Sequence, residues 1–137
     1  AEVLIFIVMH RLIAWSGLRN LVLFSLLVCA IRWCLIALFA DNFFVVLLAQ
    51  LLHAVTFGCM HAAGIALVQH FFPPQKQGQG QALYSSFGFG IGGAIGAMAS
   101  GFFWSQLGGH VTFLLAAFVS LVGFMLAWKW LRLEKAV

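Results

Sequence analysis

Charge is what this chain has least of. Only 7% of its 137 residues are Asp, Glu, Lys or Arg, against 64% hydrophobic, and the mean hydropathy is +1.10. Soluble domains carry about 25% charged residues, and a soluble globule of this length could not hide so much apolar surface. A water-soluble fold is excluded and an integral membrane protein expected. The net charge of +4 comes from basic residues scattered singly between apolar runs rather than from a patch, which excludes nucleic acid as a partner. Cysteine is nearly as scarce. Cys29, Cys34 and Cys59 are odd in number, lie inside apolar runs and show no CxxC spacing, so they read as buried free thiols and offer no metal site. The chain opens at Ala1, already apolar, without Met and without a signal-peptide layout. It is expected to be the tail of a longer chain.

What is present is a series of apolar runs of membrane-spanning length, so the fold expected is all-α, a polytopic membrane helix bundle. Ala1 to Met9 is too short to cross and reads as the end of a truncated helix carrying Glu2. His10 to Asn20 is a polar, basic connector. Full spans are expected over about 21–40, 43–71, 82–106 and 111–130. Asp41-Asn42 makes the first turn and Pro73-Pro74 ends the second span, since proline lacks an N–H and disfavours helix in the residue before it. Gln75 to Gln81 (QKQGQGQ) reads as a flexible polar loop, and Leu107 to His110 as the last turn. Arg11, Arg19, Lys76, Lys129, Arg132 and Lys135 then share one side, while the opposite loops carry Asp41 and no cation. The positive-inside rule puts the basic side, and with it the C-terminus, in the cytoplasm.

Three polar features interrupt the runs. Arg32 is the twelfth residue of the twenty from Leu21 to Ala40. A cation that deep needs a partner or a water-filled cavity. His53, Met60 and Gly64 fall on one helical face, flanked by Thr56 and Phe57, at 100° per residue. Glu2, Arg32 and His53 thus put ionisable groups on three apolar helices at middle depth, the pattern of a substrate or proton pathway. In the third span Gly88, Gly92 and Gly96 repeat every four residues, which lets helices approach closely. Gly88, Gly90 and Gly93 spell GxGxxG, but no strand precedes them and no βαβ unit is possible, so no dinucleotide site is expected. No catalytic constellation argues for an enzyme, and no cofactor or metal is expected.

These residues resemble the C-terminal half of a major facilitator superfamily transporter, from the end of the family's eighth helix to the twelfth, in the branch holding lactose permease and the 3-phenylpropionate permeases. The connector Arg11 to Asn20 is similar to the family's R-x-G-x-R loop without its first acidic position. The order Glu2, Arg32, Leu52-His53 is similar to the Glu, Arg and Leu-His on lactose permease's eighth, ninth and tenth helices. There the glutamate contacts sugar, and the arginine and histidine belong to the proton-coupling network. Three residues beyond the histidine that permease has a proton-carrying glutamate, where this chain has Thr56. AEVLIF at Ala1 to Phe6 and LLHAVTFG at Leu51 to Gly58 are closer to the aromatic-acid branch. The resemblance implies alternating-access transport of a small sugar or aromatic acid with protons, in a bacterial inner membrane, between this part and an N-terminal half preceding it. The competing reading is a membrane scaffold or assembly subunit that transports nothing.

Overall fold

Backbone hydrogen bonds in a bilayer must be satisfied within the chain, which favours helices. The structure, a computed structural model, describes residues 11–132, and among these there are helices and no strand. The expected helix end at 1–9, with Glu2, lies outside the described residues, as does the tail beyond Arg132. Helix α1 is Leu18–Phe39, α2 is Phe43–Phe71, α3 is Gln77–Ser85 and α4 is Gly92–Trp130. A 3₁₀ turn, Pro74–Lys76, precedes α3, and a π-helical segment, Ser86–Ile91, joins α3 to α4.

The breaks have local causes. Residues 11–16 are helical rather than an open connector, and the interruption falls at Gly17, whose φ of +76° suits a residue without Cβ. Asn42 caps α2, its side-chain oxygen accepting from the N–H groups of Phe44 and Val45 at 3.0 and 3.3 Å. Phe72 ends α2 in extended backbone, the conformation a following proline imposes. The polar stretch after Pro74 is not a flexible loop. It winds into α3 because Gly80 sits beneath the Phe72 ring and Val68, where a Cβ would come within 2.7 Å of the ring. Tertiary contact here overrides the low helix propensity of glycine.

Three helical stretches are long and apolar enough to cross a membrane: Leu18–Phe39, Phe43–Phe71 and Pro74–Trp130. The third holds 57 residues, roughly 85 Å at helical rise, far more than one crossing needs. It folds back at Gly108, where φ is +79°. Gly96 and Ser120 line one cavity, although in a straight helix they would stand about 36 Å apart. The Trp104 and Phe113 rings meet edge to face at 5.7 Å across the bend.

Helix α1 lies centrally. Along one side it runs antiparallel to the second part of α4: Arg19 reaches Trp128 and Leu131, Cys29 meets Ser120, and the carbonyl of Ala37 meets His110. Because that carbonyl only accepts, Nδ1 of His110 carries the proton in this 2.8 Å contact. Along its other side Leu21 and Val22 pack on Cys59 and Ala63 of α2. The buried positions are mostly small, among them Ser25, Ala30, Ala49, Gly58 and Ala63, which lets backbones approach as in membrane bundles. Large side chains such as Phe44, Met98 and Phe118 point outward, the reverse of a soluble domain.

One small residue sets a specific seat. A Cβ on Gly64 would run into the hydroxyl of Tyr84 and stand 2.9 Å from its Cε2. Gly64→Val is therefore expected to cost about 1–3 kcal/mol by overpacking, seen as a lower midpoint of thermal unfolding in detergent. Adding Tyr84→Ala should recover part of the loss. An unchanged midpoint for Gly64→Val would mean that Tyr84 does not sit there.

Candidate functional site

The antiparallel pairing of α1 with α2 brings Arg32, His53 and Thr56 to one cavity. Its volume is about 180 Å³, and Ser25, Leu26, Cys29, Phe57 and Met60 complete the lining. The polar members sit on an otherwise apolar wall, so each is placed by helix register rather than by a loop.

Arg32 is 5% exposed, and its Nε is buried with no hydrogen-bond partner among the described residues. Its Cζ lies 3.9 Å from the centroid of the Trp33 ring. That ring stacks on Phe113 of α4 at 5.4 Å, so the guanidinium rests on an aromatic platform anchored to a second helix. Cation–π contact contributes about 2 kcal/mol or more once desolvated, but it supplies no counter-charge. Asp41 is the sole acidic residue among those described. It is exposed beyond the end of α1, nine residues and about 13 Å of helical rise from Arg32. A buried cation lacking an ion pair costs several kcal/mol, and among the described residues no carboxylate reaches Arg32.

Thr56 is buried in the cavity lining and donates its hydroxyl proton to the carbonyl of His53 at 3.1 Å, which leaves its lone pairs as acceptors. His53 is half-buried, its ring 5.7 Å from Phe57. Phe57 lies parallel to His61 at 6.0 Å, and Phe89 closes on Phe57, His61 and Tyr84 at 6.3, 5.7 and 5.9 Å. Phe89 belongs to the π-helical segment, whose widened turn places it beside the histidine-bearing face of α2. Ser25 adds a hydroxyl to the cavity on the α1 side and donates to the carbonyl of Leu21 at 2.9 Å. Behind it, Ser120 of α4 donates to the carbonyl of Ala116 at 2.9 Å and lies 3.6 Å from Sγ of Cys29.

Of the residues singled out in the sequence, Arg32, His53 and Thr56 therefore share a cavity, and Glu2 lies outside the described residues. Gly88, Gly92 and Gly96 do not line it. Gly88 lies in the π-helical segment, and all three are exposed. A Cβ at Gly88 or Gly96 would meet nothing within 4 Å, and one at Gly92 would meet only the carbonyl of Phe87, at 3.1 Å. No described helix closes on this glycine face. Among the described residues no three His, Cys, Asp or Glu side chains gather as a metal would require. Trp33, Ser25 and Cys29 belong to the cavity or its support and were not singled out. Their signal was position: Trp33 follows the buried charge directly, while Ser25 and Cys29 lie about two turns and one turn before it on the same helical face.

Comparison with curated proteins and with solved structures finds no match. Residues 1–115 match the profile of the MFS_1 like family, a stretch that takes in α1, α2, α3 and every residue of the Arg32 cavity. On that match, and as an all-α helical membrane protein, the chain belongs to the MFS_1 like family, which is related to the major facilitator superfamily of transporters.

Proposed function

We propose that this chain is the C-terminal part of an alternating-access transporter that carries a small polar or anionic solute, of the sugar or aromatic-acid class, by proton symport. The observation that carries the reading is the buried guanidinium of Arg32, whose Nε has no hydrogen-bond partner among the described residues, in a cavity shared with His53 and Thr56. Arg32 holds an anionic group, either a carboxylate of the solute or Glu2. Thr56 positions the solute by accepting a hydrogen bond, and Glu2 and His53 carry the proton. An N-terminal half of the same protein closes the cavity from the other side, and the two halves rock about a site near the bilayer midplane. The uncovered face at Gly88, Gly92 and Gly96 is where a helix of that half or of the preceding segment packs. Family membership supports transport, and the cavity chemistry supports an acidic solute. The test is uptake of radiolabelled sugars and aromatic carboxylates into vesicles holding the full-length protein. Accumulation of a carboxylate above protein-free vesicles supports the reading. No uptake of either class would favour a scaffold that transports nothing.

The topology that goes with this reading has four crossings in a bacterial inner membrane, with the basic ends and the C-terminus in the cytoplasm. It is supported by the fold-back at Gly108 and by the lone Asp41 at the opposite turn. Single cysteines at Asn42 and Gly78, in a background lacking the native three, are expected to react with an impermeant maleimide from opposite sides. Labelling of both from one side would rule the topology out.

A further inference from the structure

A second constellation lies at the basic end of the bundle, away from the Arg32 cavity. Arg19, Lys129 and Arg132 line an open recess together with Met125 and Trp128. Arg19 stands in the first turn of α1 and reaches the end of α4. Its Nε donates to the carbonyl of Leu131 at 2.9 Å and its Nη2 to that of Trp128 at 2.8 Å. These carbonyls are the negative end of α4, which uncovered would repel an anion. Arg19 covers them. The first turn of α1 holds no acidic residue, and Gly17 offers no capping side chain, so its N–H groups add positive potential at the same end. The sole described acid, Asp41, lies at the far end of α1. Trp128 and Trp130 are exposed, and Lys129 Nζ lies 5.1 Å from the Trp130 ring centroid. Indoles and cations gathered where an apolar helix ends match the headgroup layer of a bilayer.

We propose that this recess binds the phosphodiester headgroup of an anionic phospholipid, with Arg19, Lys129 and Arg132 around the phosphate and Met125 and Trp128 against the glycerol and the upper acyl chain. The apolar part of the lining distinguishes a lipid from a free anion, which would gain nothing from Met125 or Trp128. The experiment is native mass spectrometry of the full chain in detergent, titrated with phosphatidylglycerol or with phosphatidylcholine of the same acyl chains. Phosphatidylglycerol is expected to bind more tightly. The double substitution Lys129→Gln with Arg132→Gln should weaken it roughly 30-fold, at about fivefold per cation, while phosphatidylcholine, whose phosphate is offset by its own choline cation, should lose less and the preference between the two lipids should shrink. Arg19 is left in place because it covers the end of α4. If the double variant fails to fold, each single substitution serves, with about a fivefold loss expected. Equal retention of the two lipids, or parental phosphatidylglycerol affinity in the variants, would overturn the proposal. Displacement of the lipid by excess inorganic phosphate would assign the recess to the free anion and overturn it equally.

Discussion

Arg32→Lys is expected to lower uptake of the transported solute about tenfold or more although the charge is kept, and Arg32→Ala about 100-fold or more. Truncating one partner of a buried, hydrogen-bonded charge pair costs about 2–5 kcal/mol. Lysine fails for two geometric reasons. The guanidinium carbon lies 3.9 Å from the centroid of the Trp33 ring, and an ammonium lacks the planar group that stacks on an aromatic face. Nor does an ammonium present the paired, parallel N–H groups that grip a carboxylate. Trp33→Leu should fall between the two, raising KM about thirtyfold through loss of roughly 2 kcal/mol of desolvated cation–π contact with kcat little changed. A stability measurement separates this role from a structural one. With the solute as the anion that Arg32 holds, Arg32→Ala removes a buried charge that has no ion-pair partner among the described residues in the empty site, and the thermal midpoint should stay level or rise while transport is lost; a lower midpoint with transport lost would assign Glu2 as its resident partner. A large fall in the midpoint with transport kept would make Arg32 structural and move the binding site elsewhere.

Much of the bundle was legible because the bilayer permits little else. Apolar runs of about twenty residues can only be helices there, and the strong stops, Asn42 and Pro73, act through groups adjacent in sequence. What escaped was decided at a distance. QKQGQGQ looks like a loop by composition, but Gly80 lets Phe72 and Val68 close over it and the segment coils. The π-helical segment at Ser86–Ile91 leaves no period that distinguishes it from α-helix in so glycine-rich a stretch. The candidate site divides along the same line. Helical phase alone groups His53 with Thr56. Their meeting with Arg32 depends on how α1 is rotated against α2, which small residues such as Ser25, Cys59 and Ala63 set by allowing close approach. No pattern in either helix specifies that rotation, and none marks Trp33 as the platform for the guanidinium, because its second contact, Phe113, is eighty residues on.

Glu2→Gln and His53→Gln are each expected to abolish accumulation driven by a pH gradient while leaving solute exchange intact. With one proton carried per solute, a gradient of one pH unit, acid outside, supplies about 1.4 kcal/mol and supports up to about tenfold accumulation. Without a proton carrier the inside-to-outside ratio should settle at about 1. Few groups in the site can change charge. A guanidinium keeps its proton at any physiological pH, so Arg32 can only organise charge around it. Thr56 cannot ionise, and its hydroxyl proton is already committed to the carbonyl of His53. That leaves an imidazole, which can gain and lose a proton near neutrality, and a carboxylate. A carboxylate held against a guanidinium favours its charged form, and the same group moved into apolar surroundings favours the neutral one. Two rocking halves that make and break a Glu2–Arg32 contact would therefore take up a proton on one side and release it on the other. Exchange needs no net proton movement, so the glutamine variants should still swap labelled for unlabelled solute across vesicles of the full-length protein. Parental accumulation in both variants would place the proton route elsewhere, and loss of exchange as well would mark these residues as solute ligands rather than proton carriers.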